Sequence, residues 1–235
     1  GTDLAGNYYA GTDSVTFTID NSTPTVTLTD TDANNIVSNS NVVTLTATFS
    51  ESMAATPTIS FTGIDSNVLM TATSSASQWI YTWTVSVVSS ITSTTAIVSG
   101  TDLNGNYYVG TESITFRIDN SAPIVSLTDT DSDNIVSNQD EVTITATFSE
   151  SMAATPTLSL TGIVSDTQMM ATTSDTVWTY AWTVSGSTFT STTATVSGTD
   201  LAGNAYAGTD SITFVINNTA PTVTLTDTET GRASC

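Results

Sequence analysis

Apolar and polar residues alternate with a period of two along most of this chain. In the run from 42 to 50, Val43, Leu45, Ala47 and Phe49 fall on one side, with threonine and serine between them. That pattern belongs to an extended strand with one covered face and one wet face. The same reading predicts strands over 25–29, 58–62, 79–85, 94–99 and 113–118, and one near 68–73. Trp79, Tyr81, Trp83 and Val85 share a side, as do Ile114, Phe116 and Ile118. The inward set returns further on as Val142, Ile144, Ala146 and Phe148, then Trp178, Tyr180, Trp182 and Val184, then Ile212, Phe214 and Ile216. Threonine, a good strand residue, fills most outward positions. The tryptophans keep register with apolar neighbours two residues away, which assigns them to core packing before any sugar-binding platform.

These patterns repeat. Gly-Thr-Asp-Leu-x-Gly-Asn begins at Gly1, Gly100 and Gly198, a spacing of 99 and then 98 residues. That length exceeds a solenoid turn and matches one small domain with its own core. Asp20-Asn21-Ser22-Thr23-Pro24, Asp119-Asn120-Ser121-Ala122-Pro123 and Asn217-Asn218-Thr219-Ala220-Pro221 end one β-like run and begin another. Proline holds the preceding residue extended and cannot join a central ladder, so these are the seams. Residues 22–120 and 121–219 are then two complete domains. Residues 1–21 read as the last hairpin of an upstream repeat, and 220–235 as the first strand of a downstream repeat with a tail outside the pattern. Seven short strands per unit, separated by turn residues, predict an all-β chain of tandem immunoglobulin-like β-sandwiches.

Charge narrows the partners. The chain carries 22 acidic residues, 2 basic ones and no histidine, a net charge of -20. A polyanion repels phosphate backbones and anionic lipid heads, which argues against nucleic acid and membrane surfaces. No apolar run approaches the roughly 18 residues that a membrane span needs. The single cysteine, Cys235, excludes a disulfide framework, and zinc lacks its usual ligands. Without histidine, and with no serine beside a plausible base, catalytic constellations are also missing.

The acidic residues concentrate in loops. Asp30-Thr31-Asp32 after the first strand returns as Asp129-Thr130-Asp131, and alternating carboxylates and amides are hard ligands suited to calcium. A helix–loop–helix calcium site is excluded, because its glycine and terminal glutamate are missing. In a seven-strand sandwich the first, third, fifth and seventh strands run one way and the others return. That order sets Asp30, Asp32 and Asp119 at one pole, facing Glu150, Asp200 and Asn204 of the next domain. Asp20, Glu51, Asp102 and Asn106 are the corresponding upstream set. Carboxylates crowded in this way repel one another unless a divalent ion intervenes, although Asp and Asn also serve as ordinary turn residues. Calcium at the interdomain junctions is the expected cofactor.

The elements Thr-Phe-Ser-Glu-Ser-Met at 48–53 and 147–152, the Asp/Gly/Asn-rich loop before the last strand, and the Asp-Asn-Ser-x-Pro seam together resemble bacterial immunoglobulin-like repeats of large surface adhesins and biofilm-associated proteins. The resemblance covers nearly the whole chain. It implies an extracellular or cell-surface stalk, calcium-stiffened and non-enzymatic, that makes contact with neighbouring repeats and carries a terminal binding domain. The alternative is that the repeats themselves bind a glycan, ice or a surface protein. The places to look for that are 65–71 against 164–170 and 87–91 against 186–189, where the two units differ most.

Overall fold

A computed structural model of the chain describes residues 1–87, 90–185 and 190–227. The first repeat supplies β1 (Val26–Asp30), β2 (Ile36–Val37), β3 (Val42–Phe49), β4 (Thr58–Phe61), β5 (Asp65–Leu69), β6 (Thr71–Ala72), β7 (Gln78–Thr84), β8 (Ser93–Ser99) and β9 (Ser113–Ile118). The second supplies β10 (Val125–Asp129), β11 (Ile135–Val136), β12 (Glu141–Phe148), β13 (Thr157–Leu160), β14 (Val164–Gln168), β15 (Met170–Ala171), β16 (Val177–Thr183), β17 (Thr190–Ser197) and β18 (Ile212–Ile216). No helix occurs among the described residues. Two compact units gather the chain: Gly1–Ala33 with Val42–Val87 and Ser93–Phe116, and Asn34–Asn41 with Val88–Thr92 and Arg117–Cys235.

Each repeat makes a four-stranded and a five-stranded sheet, in the order β10-β12-β16-β15 and β11-β18-β17-β13-β14 for the second. The first repeat has the same orders, β1-β3-β7-β6 and β2-β9-β8-β4-β5. All pairs are antiparallel except β2 with β9 and β11 with β18, which are parallel. The alternation seen in the sequence becomes a burial alternation. Along β12 the pattern is exposed or partly covered at every second residue and buried at Val142, Ile144, Ala146 and Phe148. Those side chains meet Leu158, Leu160, Trp182, Val184, Phe214 and Ile216 in one apolar core. In the first repeat, Trp83 lies 4.5 Å from Phe61 and 5.4 Å from Phe116, centroid to centroid. Trp83, Trp178 and Trp182 are buried and Trp79 is half-buried, so the aromatic stripe is core.

Two features depart from the seven-strand expectation, giving nine strands per repeat. The segment expected as one strand near 68–73 is two. β5 pairs with β4, then the chain crosses and β6 pairs with β7. Met70 makes the crossing: its side chain is buried and its N–H donates to Pro57 O at 3.0 Å. β2 is an added edge strand of two residues, too short for any period to reveal. Pro24 and Pro123 are buried at the start of their sandwiches. Within 1–25 there is only an isolated bridge, Thr2 to Tyr8, and 217–227 forms no strand. Val15, Phe17, Ile19, Val223 and Leu225 alternate there in the open, since a lone strand without a ladder is marginal in water. Residues 228–235, and much of the 87–91 and 186–189 difference, lie outside the described residues.

Candidate metal centres

The loop between β8 and β9 is built around one buried aspartate. Asp102 Oδ1 accepts from the N–H groups of Asn104 and Asn106, both at 2.8 Å, and its Oδ2 accepts from Asn106 Nδ2 at 2.7 Å. Gly105 turns the loop at φ 95°, a left-handed conformation that a side chain resists. The loop between β17 and β18 repeats this: Asp200 accepts from Ala202 N, Asn204 N and Asn204 Nδ2 at 2.9, 2.8 and 2.8 Å. The carboxylates are fully covered, with residue exposures of 0% for Asp102 and 1% for Asp200.

Two further carboxylates meet each of them. The loop after β3 is tied to this hairpin by the Met53–Asp102 bridge and by Ala54 N–H donating to Thr101 O at 2.8 Å, which brings Glu51 inward. The loop after β12 does the same for Glu150 through Met152–Asp200 and Ala153 N–H to Thr199 O. The seam supplies the third group. Asn106 Nδ2 also donates to Asp20 O at 3.3 Å, and Asn204 Nδ2 to Asp119 O at 3.0 Å. Oxygens of Asp20, Glu51 and Asp102 lie within 4.8 Å of one another, and so do those of Asp119, Glu150 and Asp200. Each triad lies inside one compact unit.

Electrostatics shows the cost of this crowding. Burial, then the charges of Asp102 and Asp20, push Glu51 above the usual glutamate range. Burial, then Asp119 and Asp200, push Glu150 up, with Arg117 pulling it down. Asp20 is held low by the Ser22 N–H and next by the Asn104 amide. Burial raises Asp102, but the donors from Asn106, Asn104 and Gly105 together outweigh it and hold the group below the usual range. Asp20 and Asp102 are thus held as anions, and Glu51 and Glu150 bear the repulsion.

A pH dependence follows. In metal-free protein, Glu51 and Glu150 take up protons in the folded state at a higher pH than in the unfolded chain. Their contribution to stability is therefore full below the ordinary glutamate value and is lost as pH rises through their raised folded values. Asp20 and Asp102 act oppositely, and their contribution is lost as pH falls through their lowered values. Metal-free stability is expected to rise on mild acidification from neutral pH and to fall under stronger acid. Urea denaturation at stepped pH in a chelator checks this; a monotonic fall from neutrality would contradict it.

The oxygens are hard, no histidine is available, and three carboxylates converge at each centre. That donor set fits Ca2+. The two asparagines expected as ligands turn their amide nitrogens toward the aspartates, so in this arrangement they clamp the linker to the loop. Asp30, Asp32, Asp129 and Asp131 join neither triad. Asp30 Oδ1 instead accepts from Asp32 N, and Asp129 Oδ1 from Asp131 N, both at 2.8 Å, as turn-forming aspartates do. In the second unit it is Ser38, beyond β2, that reaches the Asp200 loop, donating from Oγ to Ala202 O at 2.9 Å. Sequence reasoning missed Arg117, whose Nη2 donates to Asp119 Oδ2 at 2.6 Å. The signal was present: two residues apart on an extended strand, their side chains share a face.

Asp200→Ala leaves three donors without their buried acceptor. The expected loss is about 1–3 kcal/mol, read by urea denaturation, with faster amide exchange at Ala202 and Asn204. Unchanged exchange there would show that the loop holds its shape without the carboxylate.

No family model and no curated protein matches the chain. Solved structures do. One is a Ca2+-stabilized adhesin that helps an Antarctic bacterium reach out and bind ice, at 22% identity and TM-score 0.50 over 94% of this chain and 56% of that one. Another belongs to a 1.5-MDa bacterial ice-binding adhesin, in work on its retention at the host cell surface, at 19% identity and TM-score 0.45 over 83% and 63%. A third is a tetra-tandem repeat from the extending region of a large adhesion protein, at 20% identity and TM-score 0.38 over 83% and 50%. This chain thus spans between half and two thirds of those chains. The first likeness bears out the fold expected from the sequence.

Proposed function

We propose that this chain is a non-enzymatic spacer segment of an extracellular adhesin, in which Ca2+ bound by Asp20, Glu51 and Asp102, and by Asp119, Glu150 and Asp200, stiffens the linkers. The observation that carries the reading is the convergence of three carboxylates on each linker, one of them buried and hydrogen-bonded by its own loop. An ion there neutralises the repulsion on the glutamates and fastens the linker aspartate to the sandwich that follows it. The flanking sandwiches are then the partners of the site, and ligand contact belongs to other parts of the parent protein. The Ca2+-stabilized adhesin among the solved structures supports the choice of ion.

Calorimetric titration of the full chain with CaCl2 tests this directly. Binding at two sites is expected, with loss of one site in Glu51→Gln and of the other in Glu150→Gln. Small-angle scattering should show a longer, stiffer particle with Ca2+ than with chelator. Absence of binding heat together with identical scattering curves would refute the proposal.

A further inference from the structure

The two triads are served differently at one equivalent atom. Asp20 Oδ2 accepts from the neutral amide of Asn104 at 2.9 Å. Asp119 Oδ2 accepts from the guanidinium of Arg117 at 2.6 Å. Both differences are written in the repeat: the position of Arg117 is Thr18 at the first seam, and the position of Asn104 is Ala202 in the second loop, which has no side-chain donor. The first triad therefore has no cation in contact among the described residues, while the second has a guanidinium beside it that also pulls on Glu150.

We propose that Arg117 is a built-in competitor for the metal, so that Ca2+ fills the Asp20–Glu51–Asp102 centre first and the Asp119–Glu150–Asp200 centre only at higher concentration. This rests on the calcium reading above and adds an order of filling to it. An ion at the second centre must displace the guanidinium from Asp119 Oδ2 or share that oxygen with it, and meets one net charge fewer. A unit charge at contact distance in largely aqueous surroundings shifts a binding constant by about five- to tenfold. Arg117 is well placed to yield, because its side chain is 62% exposed and swings into water at little cost. The second linker is then the one whose stiffness responds to a change in Ca2+ level after the first is saturated.

The test uses the full chain with one centre disabled at a time. Glu150→Gln reports the first centre and Glu51→Gln the second, each titrated with CaCl2 by calorimetry after its melting has confirmed a folded chain. The first is expected to bind about five- to tenfold more tightly. Adding Arg117→Thr to Glu51→Gln should close that gap by strengthening the second centre, and adding Thr18→Arg to Glu150→Gln should close it by weakening the first. Equal affinities, unmoved by Arg117→Thr, overturn the inference and leave the calcium reading standing. Failure of either single variant to bind Ca2+ at all overturns both.

Discussion

Chelating Ca2+ is expected to lower the melting temperature of this chain by roughly 10–20 °C. A ligand present at about 100 times its Kd adds about 2.7 kcal/mol per site, and in a domain of about 100 residues each kcal/mol moves the midpoint by about 4–8 °C. The source of the shift is specific. In the metal-free chain, burial and like charges raise Glu51 and Glu150, so ionising them at neutral pH works against the fold. The ion reverses the sign of that interaction. With Ca2+ present, acidification should therefore destabilise the chain by competing protons against metal, whereas in chelator mild acidification should stabilise it. Scanning calorimetry in CaCl2, MgCl2 and chelator, at two pH values, resolves these outcomes. The double variant Glu51→Gln/Glu150→Gln should melt at the same temperature in all three buffers. Equal melting of the unmodified chain with and without Ca2+ would remove calcium from the account.

The second large effect lies in the core. Trp182→Ala is expected to cost about 3–5 kcal/mol, comparable to the whole stability of a marginal domain. Trp182 is 4% exposed and lies 5.4 Å from Phe214, centroid to centroid, across the sandwich. Its indole Nε1 has no hydrogen-bond partner, so the residue contributes through packing. Trp182→Phe should therefore recover most of the loss. Trp178 differs, since its Nε1 donates to Asp175 O at 3.2 Å, and Trp178→Phe gives up that bond as well. Urea denaturation followed by fluorescence and circular dichroism orders these variants. A cost under about 1 kcal/mol for Trp182→Ala would mean that the indole is not a core element.

Much of the architecture is local and therefore legible. Period-two alternation located β3, β7, β8 and β9, and their counterparts, because one face of each is buried and a one-residue slip would invert it. Linker prolines and loop glycines were legible for reasons of backbone geometry, the first as extended segments and the second as turns. The carboxylates that meet were also within reach of sequence reasoning. In a sandwich of this strand order, the loop after β3 and the loop before β9 share a pole with the preceding linker. Glu51, Asp102 and Asp20 were therefore grouped before any coordinates.

The remainder was decided in three dimensions. A strand of two residues such as β2 has no period, and the crossing at Met70 depends on which sheet offers a free edge. Asp30 and Asp32 have the chemistry of ligands, but neither joins a triad, and Asp30 Oδ1 accepts from the N–H of Asp32 within its own turn. The orientation of the Asn106 and Asn204 amides follows from the carboxylate and linker carbonyl that each must serve. Residue types and periodicity are properties of short stretches, and they determined the strands, the repeats and the acidic character of the poles. Which oxygens share a site, and that a lone arginine stands beside one triad, depend on contacts between residues far apart in the chain, which only the packed sheets bring together.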